Sequence, residues 1–125
     1  MSTVLIALGG SLGAALRYVL SSVLSARNSH KFPTAIIAVN LLGAGGLGFF
    51  ISYYYETITY SFYTCNIYLC FGVGFFGAFT TFSTFSLEAI GLLQRKEYNY
   101  FFLYIFLTIF GSIVLFSISF MFFQY

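Results

Sequence analysis

The stretch Gly72-Val73-Gly74-Phe75-Phe76-Gly77-Ala78-Phe79-Thr80-Thr81-Phe82-Ser83-Thr84-Phe85-Ser86 decides how this chain folds. It carries no charge, yet it is an odd way to build a plain helix, because three glycines lead into hydroxyls interleaved with phenylalanines. Gly and β-branched Thr both weaken helix propensity, so the pattern predicts a break near Gly77–Thr80. Backbone carbonyls freed by such a break cannot be left bare in hydrocarbon. Carbonyl oxygens converging from two breaks of this type suit a small, hard cation such as Na⁺. Beyond the break, a step of about 100° per residue puts Phe82 and Phe85 on one face, with Thr81, Thr84 and Glu88 on the adjacent one and Ser83 on the far side of the phenylalanines. Two readings fit these stripes. Electropositive ring edges and O–H donors replace part of the water shell of a small anion, with no basic residue to trap it; or the stripes are core packing, with the hydroxyls bonded back onto their own helix.

Outward from this stretch, the 125 residues are 60% hydrophobic, with 18 Phe and 11 Tyr, and only 6% are charged. Soluble domains carry about a quarter charged residues, so lipid rather than water is the expected solvent. A net charge of +2, with five basic residues scattered along the chain, leaves no basic patch to grip phosphates and argues against nucleic acid as a partner. A helix needs about 20 apolar residues to cross a bilayer. The charge-free runs therefore predict a single-domain, all-α membrane protein over residues 1–125 with four transmembrane helices, near 3–25, 34–54, 64–93 and 101–123, the third broken near its middle.

The connections support these boundaries. Arg27, Asn28, Ser29, His30 and Lys31 form a polar break before Pro33, which is placed at the first turn of the second helix. Gln94–Asn99 forms another, and Tyr53, Tyr54, Tyr55, Tyr60 and Tyr63 around the turn Glu56–Ser61 read as an aromatic belt. Arg17 lies inside the first span rather than before it, so that span is not expected to be a cleavable signal peptide. Arg27, Lys31, Arg95 and Lys96 put four basic residues on one side and none on the other, and the positive-inside rule then places both termini outside.

Polar groups within the spans are few. Gly9, Gly10, Gly13, Ala14 and Ala15, then Gly43, Ala44, Gly45, Gly46 and Gly48, predict close helix packing or dimerisation. An amide at Asn40 facing lipid would lose its water partners at a cost of about 1–3 kcal/mol, so it must face protein or a water-filled path. It serves there either as interhelical glue or as an anion donor. Arg17 and Glu88 are intramembrane charges of the type that marks transport; for Arg17, snorkelling of its long stem toward the interface is the alternative. Cys65 and Cys70 lie five residues apart, offset by about 140° on an α-helix, which argues for packing rather than a disulfide or metal pair. No arrangement suited to enzyme catalysis is present, and the lone His30 has no second ligand nearby.

Three motifs occur in order: G-G-S-L-G-A-A-L-R-Y at residues 9–18, V-N-L-L-G at 39–43 and T-F-S-T-F-S at 81–86, with a weaker Gly111-Ser112 in the fourth span. Together they resemble the Fluc (CrcB-type) fluoride channels. The resemblance implies a fluoride-selective channel of the cell (inner or plasma) membrane that passively exports F⁻ from the cytoplasm. It implies an antiparallel, dual-topology dimer with two pores and one structural Na⁺, not transported, at its centre. On the matching positions, the Na⁺ ligands are the backbone carbonyls of Gly77 and Thr80. Phe82 and Phe85 are the ring-edge partners, Asn40 the anion donor, Ser83 and Thr84 the polar track, and Arg17 and Glu88 lie near the pore and its mouth. Thr108 stands where a larger polar or aromatic side chain is expected.

The basic bias leaves two assemblies, a homodimer that inserts both ways, which is favoured, or one half of a heterodimer with an oppositely oriented paralogue. Two other functions compete. A small four-helix multidrug or cation transporter needs a buried acid in the first span, where this chain has Arg17 instead. A non-transporting membrane subunit of a larger complex would pass no ion.

Overall fold

The computed structural model describes residues 2–27, 32–54 and 65–122. His30, Lys31, Tyr55, Tyr60, Tyr63 and the Glu56–Ser61 turn lie outside the described residues. The described chain is built from α1 (Ser2–Arg27), α2 (Thr34–Tyr53), α3 (residues 68–79), α4 (Phe82–Gln94) and α5 (Tyr98–Phe122). Among the described residues, four helical runs are long and apolar enough to cross a membrane, with α3 and α4 forming one crossing.

α1 packs mainly along α3, and α2 mainly along α5. Each pair runs parallel: Gly9 meets Cys70 and Gly13 meets Phe75, while Leu41 lies against Gly111 and the Ser52 hydroxyl donates to the Phe120 carbonyl at 2.8 Å. The chain therefore alternates direction from span to span. Arg95 and Lys96, both exposed, sit at the end toward which α1 runs. The small residues are spent on backbone approach. A methyl group at Gly9 or Gly13 would collide with the carbonyl oxygen of Cys70 or Phe75, one at Gly74 would stand 2.6 Å from the Ile6 carbonyl oxygen, and one at Gly48 2.5 Å from that of Phe116.

α3 is not a plain α-helix. Tyr68–Phe76 is a π-helix, followed by a single α turn, Gly77–Phe79. The π form is wider and rarely persists. Here the glycine notches of α1 receive the carbonyls of Cys70 and Phe75. Both cysteines are free, and Cys65 is buried.

The ends of the helices follow local chemistry. Pro33 is the N-cap of α2 rather than its first turn, and its φ of −80° and ψ of 73° form an inverse γ-turn that lets the Thr34 N–H donate to the Phe32 carbonyl at 2.9 Å. α4 ends in a Schellman motif, in which the Lys96 N–H donates to Leu93 O and the Glu97 N–H to Leu92 O, each at 3.0 Å. The turn into α5 is thus only Arg95–Glu97, shorter than the polar stretch suggests. The core lies between α2, α4 and α5, where Ile36, Phe85, Ala89, Leu92 and Tyr104 cluster with Phe32, Ile37, Phe101 and Ile105 against them.

Candidate functional site

The third crossing is interrupted at Thr80 and Thr81, whose backbones are extended (φ −75°, ψ 156° and φ −142°, ψ 122°). The interruption falls at the C-terminal edge of the Gly77–Thr80 stretch, because Gly77, Ala78 and Phe79 still close a helical turn. The Asn40 side chain, reaching over from α2, takes the place of the missing helical partners. Its Oδ1 accepts from the Thr81 N–H at 2.9 Å and its Nδ2 donates to the Thr81 carbonyl at 3.1 Å. Both residues are buried. Two bonds leave one Nδ2 hydrogen of Asn40 uncommitted among the described residues.

Thr81 starts α4 as its N-cap, its Oγ1 accepting from the Thr84 N–H at 3.3 Å. It also donates to Thr84 Oγ1 at 3.1 Å and lies 3.5 Å from Ser83 Oγ. Ser83 and Thr84 are therefore gathered at one hydroxyl cluster just past the break. Ser86, by contrast, spends its hydroxyl on the Phe82 carbonyl at 2.9 Å.

The two phenylalanines differ in setting. Phe82 is 79% exposed on the single chain, whereas Phe85 is 9% exposed. Their ring centroids are 5.9 Å apart. Phe85 stacks on Tyr104 at 5.2 Å, and the fully buried Tyr104 donates its hydroxyl to Glu88 Oε2 at 2.7 Å. Phe32 also meets Tyr104 edge-on, at 6.1 Å. Glu88 is thus tied to the aromatic row from behind. Thr108, buried, donates to the Tyr104 carbonyl at 2.8 Å, so the large polar aromatic of the fourth span is Tyr104, one turn before the position where it was sought. Arg17 sits half-buried on α1 and makes no ion pair among the described residues.

The carbonyls of Gly77 and Thr80 have lost the amides that would serve them in an unbroken helix. The Thr81 N–H is held by Asn40 and the Thr84 N–H by Thr81 Oγ1. Gly77 and Thr80 also line one open apolar groove of about 370 Å³ together with Gly43, Ala44, Leu47, Gly72, Phe76, Ser112, Ile113 and Phe116. Carbonyl oxygens released from the helical ladder are the donor type that a hard alkali cation takes. No group of three or more His, Cys, Asp or Glu able to hold a metal occurs among the described residues.

The sequence placed Thr81 on the hydroxyl face but did not reveal it as the cap of α4, and it did not single out Tyr104. The first was signalled by its type and place, a threonine directly before a helical phenylalanine period. The second had no local signal, since its partners come from α4 and from the turn before α2.

Residues 4–120 match the family described as CrcB-like protein, Camphor Resistance (CrcB). The chain is 43% identical over 121 residues to "Fluoride-specific ion channel FluC 1" of Halalkalibacterium halodurans, covering 96% of this chain and 95% of that one. It is 42% identical over 105 residues to "Fluoride-specific ion channel FluC 2" of Bacillus thuringiensis subsp. konkukian, with 84% and 82% covered. To "Fluoride-specific ion channel FluC 1" of Carboxydothermus hydrogenoformans it is 38% identical over 117 residues, with 90% and 85% covered.

Proposed function

The chain belongs to the CrcB-like family, and from that membership and the cluster around the interrupted helix we propose that it is a fluoride-selective channel and not an enzyme. It is a multi-pass membrane protein. The observation that best supports this mechanism is the interruption at Thr80–Thr81, where Asn40 and the Ser83 and Thr84 hydroxyls meet at Thr81 just before the neighbouring Phe82 and Phe85 rings.

Fluoride is small and firmly hydrated, so a path through the membrane has to replace its water. Hydroxyl and amide hydrogens do so from one side, and the electropositive rims of the phenylalanines from the other. None of these donors carries a full charge, which keeps binding weak enough for release. Glu88 and Tyr104 hold the Phe85 ring in place from outside the path.

The functional unit is an antiparallel homodimer, with a heterodimer of oppositely oriented paralogues as the alternative. The carbonyls of Gly77 and Thr80 from both subunits would hold a structural Na⁺, which when bound supplies the positive charge those dipoles lack. Transport is passive. HF enters an acidified cell and dissociates, and a negative-inside potential worth about 2.3 kcal/mol per charge per 100 mV drives F⁻ out. A proton-coupled drug transporter would need an acid in the first span, and α1 has none.

Fluoride efflux from liposomes, read with an electrode, tests this reading. Purified protein is expected to release trapped fluoride, faster when Na⁺ is present. Liposomes that stay closed to fluoride would refute it and leave the non-transporting subunit. Phe82→Ile is expected to conduct far less than wild type, and wild-type flux from that variant would remove Phe82 from the path.

A further inference from the structure

Every polar group of Thr81 is engaged. Its N–H and C=O are held by Asn40, and its hydroxyl both accepts from the Thr84 N–H and donates to Thr84 Oγ1. Four other hydroxyls are spent on a carbonyl of their own helix one turn earlier: Thr80 on Phe76 O, Ser86 on Phe82 O, Thr108 on Tyr104 O and Ser117 on Ile113 O. Thr84 is different. The carbonyl one turn before it is that of Thr80, which the extended backbone has turned out of helical register. The Thr84 oxygen accepts from Thr81 instead, and its own O–H has no acceptor among the described residues.

A hydroxyl oxygen that already accepts one proton has to aim its own proton elsewhere. We propose that Thr81 is a positioning residue for anion conduction: by donating to Thr84 Oγ1 it fixes the Thr84 hydroxyl with its proton, not its lone pairs, turned toward the passing anion. Thr81 touches no ion itself, being 6% exposed. A donor oriented in advance needs no rotation as the ion arrives, and an anion never meets the lone pairs that would repel it. The inference deepens the fluoride-channel reading and rests on it.

The test is a double-mutant cycle on fluoride efflux from liposomes. Thr81→Ser keeps the hydroxyl and is expected to conduct within about twofold of wild type, whereas Thr81→Val and Thr84→Val should each lose about ten- to hundredfold, the scale of one hydrogen bond to a charged group. Because Thr81 acts through Thr84, the Thr81→Val/Thr84→Val double variant should be no slower than Thr84→Val alone. A purely structural cap would give additive losses. Should Thr81→Val fail to assemble, Thr81→Gly takes its place in the cycle, since glycine is tolerated at a helix N-cap, adds no charge and has no hydroxyl proton to give. Additive losses, wild-type flux from Thr81→Val or Thr84→Val, or an equal loss in Thr81→Ser would overturn the proposal. Wild-type protein that passes no fluoride would instead sink the channel reading beneath it.

Discussion

Asn40 completes a backbone with a side chain, and the two halves of its amide can be removed separately. Asn40→Leu leaves the Thr81 N–H and C=O buried without partners, at about 1–3 kcal/mol for each group. That variant is expected to lose a large part of its folded yield in detergent. Asn40→Asp keeps the acceptor for the Thr81 N–H but sets a carboxylate oxygen against the Thr81 carbonyl and puts negative charge beside the proposed anion path. It should assemble with lowered thermal stability and release little fluoride; wild-type flux from Asn40→Asp would take its amide out of the path. Lys96 offers the opposite sign. Its φ of 59° is left-handed, a conformation that costs a residue with a Cβ about 1–2 kcal/mol. Lys96→Gly removes that cost while keeping the Schellman bonds, so the thermal midpoint in detergent should rise, and an unchanged or lower midpoint would contradict the strain.

Among the elements, α3 shows what glycine is for in this fold. Gly9→Ala forces a methyl group into the Cys70 carbonyl, which backbone cannot yield cheaply, so α1 must separate from α3 and folded yield should fall. Gly77→Ala meets nothing within 4 Å on the single chain. It should leave the fold of one subunit intact, and any loss of fluoride flux or Na⁺ dependence from it would report on something beyond the chain. The comparison of folded yield with efflux for the two variants checks both statements. The same element shows how much was legible in sequence. Gly77 and the paired threonines announced an interruption because they weaken a helix locally, and the F-S-T-F period announced the face beyond it. The π-helix over Tyr68–Phe76 was not legible, since a helix widened against glycine notches depends on residues some sixty positions away in α1. Asn40 could be read as buried and polar, but its clamp on Thr81, 41 residues on, needed the fold. Glu88 read as a lone charge for the same reason, its partner Tyr104 lying on another helix.

Over the molecule as a whole, the described residues of one chain leave the proposed anion face open. Phe82 projects 79% exposed while its neighbour Phe85 is packed against Tyr104, and Gly77 and Thr80 line a groove that is open and apolar. A ring rim can replace water around an anion only where lipid is kept away, so the fluoride reading requires a second subunit over this face. The direction of that subunit is set by how the chain inserts. Arg95 and Lys96 cap the end toward which α1 runs, and Arg27 and Lys31 belong to the same side by sequence, a bias that favours one orientation. An antiparallel homodimer nevertheless needs both. C-terminal fusions to two reporters, one active only in the cytoplasm and one only outside it, should therefore both give signal. If one reporter alone is active, the chain inserts in a single direction, and it can complete an antiparallel pair only with an oppositely charged paralogue. Charge reversal distinguishes that outcome further: moving the Arg95 and Lys96 charges to the opposite side should restore the second reporter, because it leaves Arg27 and Lys31 on one side balanced by two basic residues on the other.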